Sequence, residues 1–246
     1  MKIKELQSLL CAVLVLLSGE ASLAQTTTVQ LQDISAVGSP LDITGTVTMS
    51  EQINADTLTY SFEDRISARN ISDKTILTMV LWVEVFYPHG QIERDVRQYE
   101  CFLAPDVIAP GQVEPIAKHG GGATVVRLGA ERDSVPARAE IRAMYVQFLD
   151  GSVFGLPQFG EDILRLRHET FVTLKRLDET YEHRGEDAFL NLLNEPVESA
   201  EVDNLLDNVR YTATKFGSQD AIGKVKRMLA LAEERRRLIG GGGTKN

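Results

Sequence analysis

The sequence predicts an immunoglobulin-like β-sandwich followed by an α-helical C-terminal region, an α+β fold in which strands and helices are segregated along the chain. Three observations lead to this prediction. Residues 75–90 alternate with the period of a strand and are largely apolar on both sides. Short segments of the same period are separated by turn residues as far as Pro157. Beyond Pro157 the apolar residues recur at intervals of three and four, which is typical of helices.

The segment of residues 76–86 is the strand on which the rest of this prediction depends. It is rich in β-branched and aromatic residues, which favour strands. Because one side is wholly apolar and the other mostly so, we expect a central strand that is packed on its first side and at least partly covered on its second. The first side contains Leu77, Met79, Leu81, Val83 and Val85, and the second contains Ile76, Thr78, Val80, Trp82, Glu84 and Phe86.

Turn residues divide the neighbouring sequence into short strands. Asp150-Gly151 lies between two alternating segments and predicts a two-residue hairpin. Pro110-Gly111 is placed for a type II turn, and Asp64 is the one polar residue on the apolar side of its strand. About seven to nine strands with this turn spacing predict a two-sheet sandwich, with a closed barrel as the alternative. The predicted strands include residues 29–34, 41–49, 60–69, 76–86, 91–103, 124–128, 140–149 and 152–156.

Three to four helices are predicted over residues 158–239. The apolar stripe of the first helix stops at Gly185, and residues 186–194 can form a short second helix. Ser199 is placed to cap the next helix, Gly217 to end it, and the last helix starts at Ser218 or Asp220. We expect the helices to pack mainly on one another as a small bundle and to touch the sandwich along one edge.

Within the chain, the apolar stripes of these helices can pack on the second side of the central strand. This side contains Val80, Trp82 and Phe86. A second copy of the chain is the other way to bury a helical stripe. We therefore keep self-association through the helical region as an expectation.

The first 24 residues have the features of a secretory signal peptide. Lys2 and Lys4 precede an apolar run at residues 9–17, and Ser22 and Ala24 fit cleavage after Ala24. The alternative is a retained anchor, but the run is shorter than the roughly 20 residues that span a bilayer. We therefore expect an extracytoplasmic protein, periplasmic or secreted, with a sandwich at residues 25–157, helices at 158–239 and a disordered tail at 240–246.

The formal net charge of the chain is -9, and cleavage after Ala24 leaves it unchanged because it removes two positive and two negative residues. An acidic chain is a poor candidate for binding nucleic acid or an anionic lipid surface. We expect a protein partner, no nucleic acid and no stable membrane span after cleavage.

No catalytic, cofactor-binding or metal-binding residue is assigned from the sequence. Cleavage leaves Cys101 as the one cysteine, and its alternation with Tyr99 and Leu103 predicts a buried, unreactive thiol. The histidines do not occur at metal-ligand spacing, so we expect solvated side chains and no cofactor. They are His89, His119, His168 and His183.

Four other motifs have ordinary structural explanations. The HGGG of residues 119–122 is similar to an esterase oxyanion loop, but no nucleophile elbow on an α/β sheet accompanies it, so a surface loop is expected. Glu161-Asp162 and Glu186-Asp187 suit helix starts, and the basic residues 235–237 suit a solvated helix end. Asn70-Ile71-Ser72 satisfies the N-glycosylation sequon on a predicted turn.

Residues 83–90, VEVFYPHG, and the Ala109-Pro110-Gly111 turn resemble small bacterial extracytoplasmic β-sandwich domains of the FxLYD and LEA14-like kind. In that family a strand ending in Phe-Tyr-Asp and a glycine turn precedes a polar strand and a Pro-Gly turn. Here Pro88 stands in place of the aspartate. The resemblance covers residues 60–111 and implies a non-catalytic binding or structural module without catalytic residues.

The leading hypothesis is therefore an exported, non-catalytic binding or scaffolding protein, because sandwiches of this type present end loops or sheet edges to partners. The alternative is an extracytoplasmic hydrolase with a site between the sandwich and the helices, lined by Glu161, His168 or His183. A third hypothesis is a carbohydrate-binding module, but Trp82 and Tyr145, its aromatic candidates, are expected to be packed.

Overall fold

The computed structural model describes residues 24–54, 57–87, 92–116, 123–127, 136–197 and 199–241. This part of the chain contains nine strands followed by three helices, so the predicted α+β order is confirmed. The strands are β1 (Ala24–Asp33), β2 (Leu41–Asn54), β3 (Thr57–Asn70), β4 (Ile76–Phe86), β5 (Ile92–Glu100), β6 (Val113–Ile116), β7 (Ala123–Arg127), β8 (Arg138–Phe148) and β9 (Val153–Gly155). The helices are α1 (Gln158–Leu193), α2 (Ala200–Phe216) and α3 (Ser218–Gly241).

Strand β4 is central, as its periodicity predicts. It pairs antiparallel with β5 on one edge and with β8 on the other. Met79, Leu81, Val83 and Val85 are buried in the main apolar core. Residues on both sides of β4 are buried, and only Trp82 and Phe86 are partly exposed.

Leu77 does not lie on the predicted side of β4. The pairing of β4 with β8 shifts between Ile76 and Thr78, which is a β-bulge and interrupts the alternation of side chains. Ile76 is therefore in the main core, whereas Leu77 packs with Cys101 and Ala232 against the helices. A strict period of two cannot predict this exchange.

The strands form one continuous sheet in the order β5-β4-β8-β1-β2-β3-β6, with β7 also on β3 and β9 also on β8. Strand β1 connects its two halves, because its first part pairs with β2 and its end pairs parallel with β8. Side chains from both halves, including Ile43, Ile66, Leu81 and Ile141, share one core. The sheet must therefore curl over so that its two halves face each other.

A buried ion pair joins the two halves of the curled sheet. Arg97 of β5 donates to Asp64 of β3, and the two side chains are only 4% and 6% exposed. Asp95 is a second, half-exposed partner of Arg97. Asp64, the polar residue that breaks the apolar pattern of β3, thus has a charged partner from the other half of the sheet, as a buried carboxylate requires.

The predicted turns are present. Gly151 has φ 83 in the turn between β8 and β9, and Gly111 has φ 77 in the turn that follows Pro110. Both values lie in the left-handed region that glycine adopts without a steric penalty. The type II turn is confirmed, because the Gln112 amide donates to the Ala109 carbonyl at 3.1 Å. The hairpin is present, but its loop has three residues, 149–151, and not the predicted two, because the Phe148 amide donates to the Ser152 carbonyl at 2.9 Å.

The three helices pack on one another through a separate apolar cluster. It contains Leu174 and Phe189 of α1, Leu206 of α2 and Val225 of α3. Helix α1 is broken at Gly185 (φ 83), where the predicted apolar stripe stops. The Ser199 hydroxyl accepts a hydrogen bond from the Val202 amide, so the predicted N-cap of α2 is confirmed.

The predicted contact along one sheet edge is wrong, because the helices lie on the outer face of β4 and β8. Ile163 at the start of α1 packs on Val80 and Tyr145. A Cβ at Gly160 would come within 2.6 Å of the Tyr145 ring, so glycine is needed for α1 to approach this closely. Strand β4 is thus buried on its core side, and α1 covers only the part of its outer side that is nearest Val80.

Several predictions concern residues outside the described ranges: nearly all of the signal peptide at residues 1–24, His89, the HGGG loop at 119–122, and residues 242–246 of the tail. The last helix continues to Gly241, two residues into the segment predicted to be a tail. Within the described ranges, none of the helices has the length and apolar content required to traverse a bilayer.

Candidate interaction surface

The outer face of β5, β4 and β8 carries three rows of side chains, and helix α1 touches only the nearest row, at Trp82. Residues paired directly across antiparallel strands lie on the same side of the sheet. We call these nine residues the open face. From the row nearest α1 outwards they are Val96, Trp82 and Arg142, then Arg94, Glu84 and Glu140, then Ile92, Phe86 and Arg138.

The border of the open face lies at Trp82. Its ring meets Phe159 of α1 edge-on, with 6.4 Å between ring centroids and an angle of 84° between the ring planes. On the helix side of this contact Val80 is buried, and on the far side Phe86 is only partly buried. The apolar second side of β4 is thus longer than the part that α1 covers.

Stacked guanidinium groups hold the aromatic rings of the open face in place. The guanidinium carbon of Arg138 lies 4.0 Å from the centroid of the Phe86 ring, and that of Arg142 lies 6.0 Å from the Trp82 ring. Arginine above an aromatic face is favourable by cation–π attraction and also fixes the orientation of both groups. The surface is therefore pre-organised.

Two carboxylates connect these arginines. Glu84 accepts hydrogen bonds from Arg94 at 2.9 Å and from Arg142 at 3.0 Å, and Glu140 pairs with Arg138 at 2.9 Å. The hydrogen bond from Arg94, assisted by the charge of Arg142, lowers the pKa of Glu84 despite the opposing effect of partial burial. Glu84 is thus held as a carboxylate.

The charges of the open face are not equally accessible. The side chains of Arg94, Arg138 and Arg142 are 56%, 59% and 39% exposed, whereas those of Glu84 and Glu140 are 11% and 14% exposed. Solvent therefore meets a positive layer above an apolar and aromatic base, on a chain whose net charge is -9. Ile92 and Val96 are also exposed at the β5 side.

A buried polar cluster holds α1 on the sheet beside the open face. Arg167 of α1, 7% exposed at its side chain, donates to both carboxylate oxygens of Glu100 at 2.9 and 3.0 Å. It also donates to Thr78 and Gln147, and it lies over the Phe102 ring. We call Arg167, Glu100, Thr78 and Gln147 the Arg167 cluster. The two Nη groups of Arg167 make all of these hydrogen bonds within the protein, which is typical of a structural ion pair, whereas its Nε is buried with no hydrogen-bond partner in the described part of the chain.

The Arg167 cluster is not predicted by the sequence pattern. The available signal was the position of Arg167, four residues after Ile163 and seven before Leu174, on the apolar stripe of α1. A charged residue at such a position needs a buried partner. Sequence periodicity does not show that the partner is Glu100, 67 residues earlier.

The three residues considered for a hydrolase do not converge. Glu161, His168 and His183 are all exposed on α1. His168 lines a cavity of about 250 Å³ with Phe102 and Arg236, and His183 lines a separate cleft of about 540 Å³ beside the break in α1. Within the described ranges, no three His, Cys, Asp or Glu side chains are grouped as metal ligands would be.

The remaining predicted features have clear positions. Cys101 is buried, and burial raises the pKa of its thiol to about 11, which makes a reactive thiolate unfavourable. Tyr145 is buried, as expected, but Trp82 lies at the border of the open face. The basic residues 235–237 are not simply a solvated end, because Arg235 is buried and Arg236 stacks on Phe171 at 4.1 Å.

Asn70 of the glycosylation sequon is fully buried. Its amide nitrogen donates to the carbonyl oxygens of Lys74 at 2.8 Å and Ile108 at 3.0 Å. Its amide oxygen accepts from the Ser72 amide and hydroxyl at 3.0 and 2.7 Å. A glycan on this nitrogen would break the hydrogen bonds of the turn, so in the folded protein Asn70 is a structural residue.

No protein-family model and no curated protein matches the chain. It is similar, at 11% identity, to Bacteroides uniformis beta-glucuronidase 2 covalently bound to cyclophellitol-6-carboxylate aziridine, over 87% of this chain and 34% of that chain, with a TM-score of 0.21. A Bacteroides uniformis beta-glucuronidase crystal structure is similar at 14% identity over 87% of this chain and 33% of that chain, with a TM-score of 0.16. The chain spans about a third of the length of both structures. Likeness at these TM-scores supports no assignment of fold or activity.

Proposed function

We propose that this chain is an exported, non-catalytic binding protein that recognises a partner protein through the open face. The observation that carries the proposal is the uncovered half of the second side of β4, where Trp82 and Phe86 lie among exposed arginines. Aromatic residues and arginine are the residue types enriched at the centres of protein interfaces. Ile92 and Val96 add exposed apolar side chains beside these rings.

The strand region is, in this proposal, an immunoglobulin-like module of the extracytoplasmic FxLYD and LEA14-like kind. Two facing halves around one core, and a strand β1 that pairs with both, support a sandwich of this type. Export rests on the signal-peptide features of residues 1–24. In this proposal, the Arg167 cluster holds α1 over the part of the outer face nearest Val80, and the open face stays free for the partner.

Capture of partners by the immobilised protein tests this proposal. The double variant Val96→Asp/Arg138→Gln changes two exposed residues of the open face. A matched control, Val172→Asp/Arg165→Gln, changes one exposed valine and one exposed arginine on α1. Envelope extract of the native host is passed over each protein, and bound proteins are quantified by mass spectrometry.

We expect the wild type and the control to retain the same proteins and the open-face variant to lose them by at least about tenfold, the scale of a lost interface hot spot. Circular dichroism verifies that both variants are folded. If the open-face variant captures the same proteins in the same amounts as the control, this face does not bind the partner.

A further inference from the structure

Three loops at one end of the sheet form a second exposed surface, which we call the loop end. It is a depression of about 460 Å³ lined by Gly38–Pro40 of the β1–β2 loop, Ile71–Lys74 of the β3–β4 loop and residues 152–154 next to the β8–β9 turn. Val37 is fully exposed beside it, and Ile71 and Val153 are exposed at its margin. Two of the loops, and the first residue of β9, thus each present an aliphatic side chain to solvent.

Hydrogen bonds make the loop end rigid. Asn70 fixes the β3–β4 loop through its four side-chain hydrogen bonds, and the Ile71 amide donates to the Pro40 carbonyl at 2.8 Å. Lys74 binds both Asp150 and Ser152 at 2.9 Å, which ties this loop to the β8–β9 turn. A rigid surface loses little conformational entropy on binding.

The loop end is acidic where the open face is basic. Asp73 is exposed and has no ion pair among the described residues, and Asp150 is half-exposed. Lys74, 44% exposed, is the one cation lining the depression and pairs with Asp150. The two aspartates and one lysine give the loop end a formal charge of -1, whereas the three arginines and two glutamates give the open face a formal charge of +1. The two surfaces therefore have the same kind of apolar component and opposite accessible charge, which is the complementarity that favours association.

The two surfaces lie at opposite ends of the strands. Strand β4 begins at Ile76 next to the loop end and finishes at Phe86 in the outermost row of the open face. Ten residue steps of about 3.3 Å separate these points by roughly 33 Å. The loop end of one molecule cannot reach its own outermost row, so any contact between the two surfaces is intermolecular.

We propose that the partner bound at the open face is a second copy of this chain, which docks its loop end there. This inference rests on the proposed function and names the partner of the same surface. Because the two contacting surfaces differ, the contact is heterologous and assembles copies head to tail into a ring or an open chain. Ile71 and Val153 of one copy pack on Trp82, Val96 and Ile92 of the next, and Asp73 meets its arginines.

The test uses processed protein expressed from the full sequence, in sedimentation and light-scattering measurements over a range of concentrations. The loop variant is Ile71→Asp/Val153→Asp, the face variant is Val96→Asp/Arg138→Gln, and Val172→Asp on α1 is the control. All altered side chains are exposed. Circular dichroism verifies folding, and a milder loop variant, Ile71→Ser/Val153→Ser, replaces the first if its spectrum changes.

We expect the molar mass of the wild type and the control to rise beyond the dimer with concentration, and each interface variant to bind itself at least about tenfold more weakly. A 1:1 mixture of the loop and face variants should form dimers and nothing larger, because the mixture has one intact pair of surfaces. The wild-type association should weaken between about 0.05 and 0.5 M NaCl.

Three results would each overturn the inference: a wild type that stays monomeric, a mixture of the two variants that stays monomeric, or a single variant that still associates as strongly as the wild type. The last result would indicate an isologous contact elsewhere, such as the helical region. A monomeric wild type that still captures envelope proteins through the open face would leave the proposed function standing. Loss of both activities would remove both proposals.

Discussion

Removing the Arg167 guanidinium should detach α1 from the sheet. In the Arg167→Met variant the aliphatic part of the side chain is kept, but Glu100, Thr78 and Gln147 lose their shared donor. Breaking a buried ion pair by removing one partner costs about 3–5 kcal/mol. Because the Glu100 side chain is 26% exposed and can recover some hydration, we expect the lower end of this range, about 3 kcal/mol.

Equilibrium unfolding in urea measures this loss with two signals. Fluorescence of Trp82, the one tryptophan, reports on the sheet beside α1, and circular dichroism at 222 nm reports on the helices. Arg167→Met should shift both midpoints to lower urea. The control is Arg165→Met, two residues before Arg167 on the same helix. It removes an exposed arginine that pairs with Asp162 and Glu169, so neither midpoint should shift.

A double variant separates lost packing from an unpaired charge. Glu100→Gln in the Arg167→Met background removes the stranded carboxylate, so the double variant should be about 1–2 kcal/mol more stable than Arg167→Met alone. If Arg167→Met unfolds like Arg165→Met, the cluster does not hold the helix on the sheet. If the double variant is no more stable than the single one, the loss does not come from the Glu100 charge.

Two further predictions concern the loop end. Asn70→Ala removes four side-chain hydrogen bonds from the β3–β4 loop and should lower the free energy of unfolding by about 2–3 kcal/mol in urea titrations. A variant as stable as Ser72→Ala would contradict this role. The hydrogen bond from Lys74 lowers the pKa of Asp150 to about 2, so the turn contributes stability above the ordinary carboxyl pKa of 3.8 and loses it as the pH falls towards 2. Because the Asp150 side chain is half-exposed, we expect this contribution to the free energy of unfolding to be less than about 1 kcal/mol. The measurement compares the acid stability of the wild type with that of Asp150→Asn. Equal pH dependence of the two proteins would contradict the pairing.

Local sequence rules predicted the parts of the fold that depend on near neighbours. The hairpin at Gly151, the break at Gly185 and the N-cap at Ser199 each follow from the conformation or hydrogen bond of a few adjacent residues. The central position of β4 follows from its apolar residues on both sides. These features could be predicted because their causes are contained within a few residues.

The missed features depend on residues far apart in the sequence. Asp64 and Arg167 were visible as polar residues at apolar positions, but their partners Arg97 and Glu100 are brought to them only by the curl of the sheet and the docking of α1. The bulge that exchanges Ile76 and Leu77 depends on the pairing of β4 with β8. A periodic pattern identifies a polar side chain that needs a partner, whereas the topology of the fold determines which residue is that partner.

The open face also depends on contacts that sequence periodicity does not specify. The second side of β4 predicts that something covers Val80, Trp82 and Phe86, and the structure shows α1 covering only the Val80 end. Hydrophobic burial is indifferent to whether the covering atoms come from the same chain or from another. Because the second side of β4 extends beyond the helix packed on it and arginines are fixed above its rings, we propose that another molecule covers the remainder. The mixture of loop and face variants tests whether the same chain supplies that layer.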